Sequence, residues 1–163
     1  MSHPLQISRK IEYGLRAMLY LAAQPQGALV PFREIAERMN VPTEFMAKIL
    51  KKLCKEKLAV STRGAQGGYA IARPAAEVSF LDVIEAMEGK VQVNLCAQHS
   101  NACSLAGDCT MTEVWQLGQQ RMLEVFRHAK LDRLAMRGLK QAASNASSHA
   151  SAAAELVQLG SRH

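Results

Sequence analysis

Three cysteines, Cys96, Cys103 and Cys109, lie close together in the chain, with six and five residues between successive thiols. This is not the paired CxxC spacing of a zinc ribbon. The stretch also holds Gly107 and Asp108, and three thiolates on such a loop can wrap a multi-iron cluster. A cluster spreads its ligands over a wider body than one zinc ion does, and it often takes a fourth ligand that is not cysteine. His99, inside the same loop, would instead complete a zinc site of three thiolates and one imidazole. Exposed redox thiols are a third chemistry open to these residues. Spacing leaves cluster and zinc standing side by side. Cys54 stands apart, one turn after Leu50, and reads as a small buried hydrophobe.

A second constellation is basic. Glu44, Lys48, Lys51 and Lys55 are spaced four, three and four apart, which puts them on one stripe of a helix, opposite an apolar stripe of Phe45, Ile49 and Leu53, with Lys52 beside the basic residues. Lysines on such a face can reach phosphates or guanine edges in a major groove about 12 Å wide. Arg63 then opens the run Arg63-Gly-Ala-Gln-Gly-Gly68. There Gly64 and Gly67 leave little side-chain bulk between the backbone and a sugar-phosphate edge, and Arg63 can enter a minor groove. Twenty Lys and Arg against fourteen Asp and Glu give a net charge of +6. Charge alone serves solubility as well as it serves polyanion binding, so the placement of these residues carries the reading of double-stranded DNA as partner.

The elements that must position them follow from periodicity. Apolar residues make up 48% of the 163 residues and aromatics only 5%, a composition suited to helices. Ile11, Leu15, Met18, Leu19 and Ala22 mark one face of a first helix over 8–23. A short second helix over 32–39 turns Ile35, Ala36 and Met39 inward, and Asn40, Val41 and Pro42 form the turn into a third helix over 43–57. That third helix has Phe45, Met46, Ile49, Leu50 and Leu53 as its buried stripe. Helix, tight turn and helix form a helix-turn-helix. The β-prone runs Leu58-Ala-Val-Ser-Thr and Tyr69-Ala-Ile-Ala flank the glycine-rich connection and predict a hairpin wing. Ser79 caps a fourth helix that Gly89 ends. A long helix from Thr110 to His128 carries Val114, Leu117, Leu123 and Phe126, with a continuation through Leu131, Leu134 and Met136. Tyr13 and Tyr69 read as core residues.

The fold class expected is therefore mostly α: a winged helix-turn-helix with a small β-hairpin wing and a long C-terminal dimerisation helix. The DNA-binding domain takes 1–88, the cysteine loop 89–109 and the dimerisation region 110–138. An Ala- and Ser-rich tail over 139–163 has too few large apolar residues to offset its ordering entropy and is expected to be disordered. The opening residues lack a secretory signal and no apolar run reaches membrane-spanning length, so a cytoplasmic protein with no membrane partner is expected. There four cysteines are thiols or ligands rather than disulfides. No phosphate loop, no HExxH and no acid or histidine at a motif spacing from the three cysteines supports an enzyme.

The segments IEYGLRAMLYLA, EIAERMNVPTEFMAKILKKL, RGAQGGY and SFLDVIEAMEG, with the three-cysteine loop and the Trp-bearing helix after it, resemble the bacterial winged-helix iron-sulfur regulators of the IscR, NsrR and RirA type. The likeness spans about residues 5 to 137. It implies a homodimer in which the long helix crosses its partner, a roughly palindromic operator, and a 2Fe-2S or 4Fe-4S cluster on Cys96, Cys103 and Cys109. Such regulators, many of them repressors, sense iron, cluster supply, nitric oxide or redox state. In the IscR branch the fourth ligand is a histidine three residues after the last cysteine, a position occupied here by Thr112. Other members use an acidic residue of the first helix, donated by the partner subunit, and the matching position is Glu12. Taken as an ordinary surface residue, Glu12 would instead pair with Arg9 or Arg16. His99 remains the other candidate ligand.

Overall fold

Ser8 accepts a hydrogen bond from the backbone of Ile11 and so starts α1, Arg9–Ala22. The helix buries Ile11, Gly14, Leu15, Ala17, Met18 and Leu21, a stripe shifted slightly from the expected one, which leaves Leu19 and Ala22 half-buried. The computed structural model describes residues 7–64, 66–94 and 109–138. The short α2, Phe32–Arg38, packs Ile35 and Ala36 inward, and Met39 is only partly buried. Asn40 takes a left-handed φ of 50°, a conformation that asparagine tolerates better than most residues. The chain turns there, Val41 is buried, and α3 runs over Thr43–Lys55.

The wing is a hairpin of β1, Ala59–Thr62, and β2, Gly68–Ile71, paired antiparallel from Ala59 opposite Ile71 to Thr62 opposite Gly68. Val30 adds one rung on the far side of β2. Its N–H donates to the Tyr69 carbonyl at 2.9 Å and its carbonyl accepts from the Tyr69 N–H at 2.8 Å. A side chain at Gly68 would begin 2.6 Å from the Val30 carbonyl oxygen, and one at Gly67 would begin 2.3 Å from that of Thr62. These two glycines are required by the hairpin's own close backbone packing.

Ser79 caps α4, Phe80–Glu88, in a reciprocal capping box with Asp82, and Arg73 reaches the Asp82 carboxylate at 3.3 Å. The core lies among α1, α3 and α4, where Met18, Leu21, Met46, Leu50, Leu53, Val83 and Met87 are essentially inaccessible. Burying side chains of this size stabilises the fold by roughly 1.5–3 kcal/mol each. Beyond the core, α5 spans Thr112–His128 and residues 131–138 are again helical. The end of α5 is stitched back to the start of α4. The Phe80 N–H donates to the Ala129 carbonyl at 2.8 Å, the Leu131 N–H donates to the Val78 carbonyl at 3.0 Å, and the Phe80 and Phe126 rings meet at 5.3 Å. The mostly helical winged-helix architecture expected from the sequence is the one observed. The proposed tail over 139–163 lies outside the described residues.

Candidate nucleic-acid interface and cysteine loop

The turn at Asn40 sets α3 so that Met46, Ile49, Leu50 and Leu53 enter the core, which leaves the opposite side of the helix to solvent. Glu44, Lys48, Lys51 and Lys55 are all exposed there. Lys52 lies at the edge of this face, half-buried, with its ammonium 3.9 Å from Glu56. At the wing, Arg63 and Gly64 are exposed while Gly67 is partly covered by the hairpin itself. The basic helix face and the wing tip border one cleft of about 670 Å³, lined by Lys51, Cys54, Thr62, Arg63, Gly64 and Tyr69 among others. Two cations thus stand on opposite walls of one groove, a disposition that suits a phosphate backbone.

Two expectations for α3 are corrected. Phe45 is not part of the buried stripe: it is 47% exposed, its ring 6.3 Å from that of Tyr13 and 5.9 Å from the Lys48 ammonium. With Met46 at the centre of the buried sector, Phe45 falls a quarter-turn or so away, at its border with the basic face. Cys54 is half-buried rather than buried, and it faces the hairpin. Burial pushes its thiol above the ordinary cysteine range, and a hydrogen bond with Ser61 acts the other way. Tyr13 and Tyr69 pack, partly buried, against the core.

Of the cysteine loop, Cys96, Cys103, His99, Gly107 and Asp108 lie outside the described residues. Cys109 lies within them, as a half-buried free thiol just before α5, where its carbonyl accepts from the N–H of Thr112 at 3.1 Å. The segment leading into the loop is held to α5, because the Gln119 side-chain oxygen accepts from the Val93 N–H at 3.0 Å. Gln119 is the buried residue of α5. Glu12 projects from α1 with its side chain 48% exposed and forms an ion pair with Arg16 one turn on. The other end of the Arg16 guanidinium donates to the Met39 carbonyl. Among the described residues no three His, Cys, Asp or Glu side chains converge on a common point. The chemistry of Cys109 and Glu12 still suits an iron-sulfur group, with one reduced thiol and one solvent-facing carboxylate available as donors.

The outer face of α5 is apolar. Met111, Val114 and Val125 recur at helical spacing and are 58%, 69% and 65% exposed, with Leu117 beside them at 55%. Gly118 lies on the same stripe with open space around it.

A helix-turn-helix joined to a hairpin wing, with cations on both walls of the groove between them, defines a winged-helix transcriptional regulator that binds DNA. The chain belongs to the Rrf2 family, described as iron-dependent transcriptional regulators, whose profile matches residues 7–137. It is 30% identical over 127 residues to a protein of Mycobacterium tuberculosis named as an HTH-type transcriptional regulator, covering 78% of this chain and 79% of the relative. Among solved structures it is similar to T. potens IscR, at 29% identity and a TM-score of 0.64, covering 80% of this chain and 86% of that one. It is also similar to CymR of Staphylococcus aureus, at 27% identity and a TM-score of 0.62, covering 78% and 96%. No helix among the described residues is long and apolar enough to cross a membrane.

Proposed function

We propose that this chain is a homodimeric repressor whose hold on a palindromic DNA operator depends on an iron-sulfur cluster. The observation that carries this reading is the free thiol of Cys109 at the foot of α5, a helix with an apolar outer face, in a chain matched by an iron-dependent regulator family over residues 7–137. In this reading α3 and the wing of each subunit meet one half-site. Lys48, Lys51, Lys52, Lys55 and Arg63 neutralise phosphates or meet guanine edges, Glu44 selects against misplaced acceptors, and Gly64 and Gly67 keep the wing narrow. A second copy covers Met111, Val114, Leu117 and Val125, with Gly118 allowing the two helices close approach. This activity takes place in the cytoplasm.

Cys96, Cys103 and Cys109 would hold the cluster, with Glu12 donated across the dimer as fourth ligand. Once bound, the cluster supplies a group whose integrity responds to iron, nitric oxide and oxidants. Arg16 engages only one oxygen of the Glu12 carboxylate, so Glu12 would offer its other oxygen to the cluster or give up the ion pair. The angle between the two winged helices then differs between the two states of the dimer, and operator affinity follows the population of each.

Absorption spectra with iron, sulfide and zinc analysis of anaerobically purified protein test this, repeated for Glu12→Ala, Thr112→Ala and His99→Ala. Visible charge-transfer bands with iron and sulfide, diminished in Glu12→Ala alone, are expected. A colourless protein with one zinc per chain, lost in His99→Ala, would replace the cluster with a zinc staple. A metal-free protein whose DNA affinity changes on oxidation would favour a thiol switch. The likeness to a solved structure of oxidised Staphylococcus aureus CymR, 27% identical with a TM-score of 0.63, favours that second reading.

A further inference from the structure

Of the four phenylalanines, Phe32, Phe80 and Phe126 pack against the core, while Phe45 stands apart from it, half-exposed in the first turn of α3. Leaving an aromatic ring in water forgoes much of the stabilisation its burial would bring. The ring is nevertheless held in a defined place. Tyr13 of α1 packs against it at 6.3 Å with the planes inclined by 59°, and the Lys48 ammonium lies 5.9 Å from its centre. An aromatic fixed from both sides, on the face that also carries Glu44 and Lys48, belongs to the surface that faces the partner rather than to the interior.

In a helix laid along the major groove, residues of the first turns lie against the base edges. A phenyl ring can neither donate nor accept a conventional hydrogen bond there. The apolar feature that distinguishes one base from the others on that edge is the C5-methyl group of thymine, with which phenylalanine makes favourable contact. Cytosine carries only hydrogen at that carbon and adds an amine whose solvation an apolar ring would disrupt. We propose that Phe45 is a specificity-determining residue that recognises a thymine of each half-site through its methyl group. Tyr13 acts as its positioning residue from behind. The proposal rests on the DNA-reading role of α3.

The test begins with selection of bound sequences from random double-stranded DNA by the full-length chain, both anaerobically purified and metal-free. Each thymine of the resulting consensus is then replaced singly by deoxyuridine, which removes the methyl group and nothing else. In the wild-type protein one thymine per half-site is expected to lose about fourfold in affinity, the value of one buried methyl-sized group. That loss is expected to disappear in Phe45→Ala and to persist in Lys51→Met, which removes an exposed cation elsewhere on α3 and leaves the Lys48 and Tyr13 contacts of the ring in place. A wild-type protein indifferent to every thymine-to-uracil exchange overturns the proposal whether or not Phe45→Ala folds. Exchange penalties of equal size in wild type and a folded Phe45→Ala overturn it too. If neither preparation retains any DNA at low salt, the DNA-reading role of α3 falls along with it.

Discussion

Arg16, on α1, donates a hydrogen bond of 3.0 Å to the carbonyl of Met39, the residue that closes α2. The first helix thereby satisfies a backbone group at the turn of the helix-turn-helix. The same side chain pairs with Glu12, so one guanidinium serves both a helix end and a candidate ligand. Arg16→Met removes the donor while keeping most of the stem. A loss of about 1 kcal/mol of stability is expected in urea unfolding, toward the lower end for a charged donor because the side chain is 40% exposed. Unchanged stability would show that water replaces the guanidinium at no cost.

Gly14 lets α1 lie close against α4: a β-carbon there would begin 2.8 Å from Cγ and 2.9 Å from Sδ of Met87, which is fully buried. Gly14→Val is expected to destabilise by about 1–3 kcal/mol through overpacking. Shortening the opposing side chain should relieve part of this. In a double-mutant cycle, Gly14→Val combined with Met87→Ala should cost less than the sum of the two single changes, and simple additivity would disprove the close approach as the cause.

Neutralising Lys48, Lys51 or Arg63 to glutamine should weaken binding across sequences and lower the slope of log affinity against log salt by about 1 for each phosphate that no longer has a cation beside it. Lys52→Gln should change it less, since its ammonium already faces Glu56. Equal slopes for all four variants would place the phosphates elsewhere.

Cys54 provides a pH signature. Its thiol is raised by burial, so the unfolded chain gives up this proton at lower pH than the folded chain does. The associated stability is complete below the ordinary thiol range and declines as pH rises through the folded value. Denaturation midpoints should therefore fall more steeply on the alkaline side in wild type than in Cys54→Ala, and native Cys54 should react with iodoacetamide more slowly than in urea. Native alkylation as fast as in the denatured chain would contradict this.

If a second copy covers α5, Val114→Glu together with Val125→Glu should yield monomers in sedimentation, with the winged helix still folded by circular dichroism. Retained dimers would assign the interface to another face.

Periodicity alone locates each helix to within a few residues, because Ile11, Leu15 and Met18 or Met46, Leu50 and Leu53 leave little choice of inward face. The hairpin is equally legible from its glycines, although Gly67 and Gly68 answer to the hairpin's backbone before any ligand. Phe45 escapes the spacing rule because an apolar residue at the border of a stripe satisfies it whether the side chain points in or out. Only the rotation fixed by Met46, Ile49 and Tyr13 decides it. On α5, hydrophobic residues predict packing but not with what: Phe126 meets Phe80 in the same chain, whereas Val114 and Leu117 face outward. The proposed convergence of Glu12 with the cysteines has no spacing signal either, since ligands supplied by two subunits would leave no mark on the spacing within one chain.

The stitching of Ala129 and Leu131 to α4 gives α5 a fixed end and a distal one. Seventeen residues of helix make an arm of about 25 Å, with Cys109 beyond its far tip. Each degree of tilt about the clamped end carries that tip through about 0.4 Å. In reverse, a displacement of one bond length at the thiol end corresponds to a rotation of only about 3° at the end clamped to α4, beside the core that seats α3.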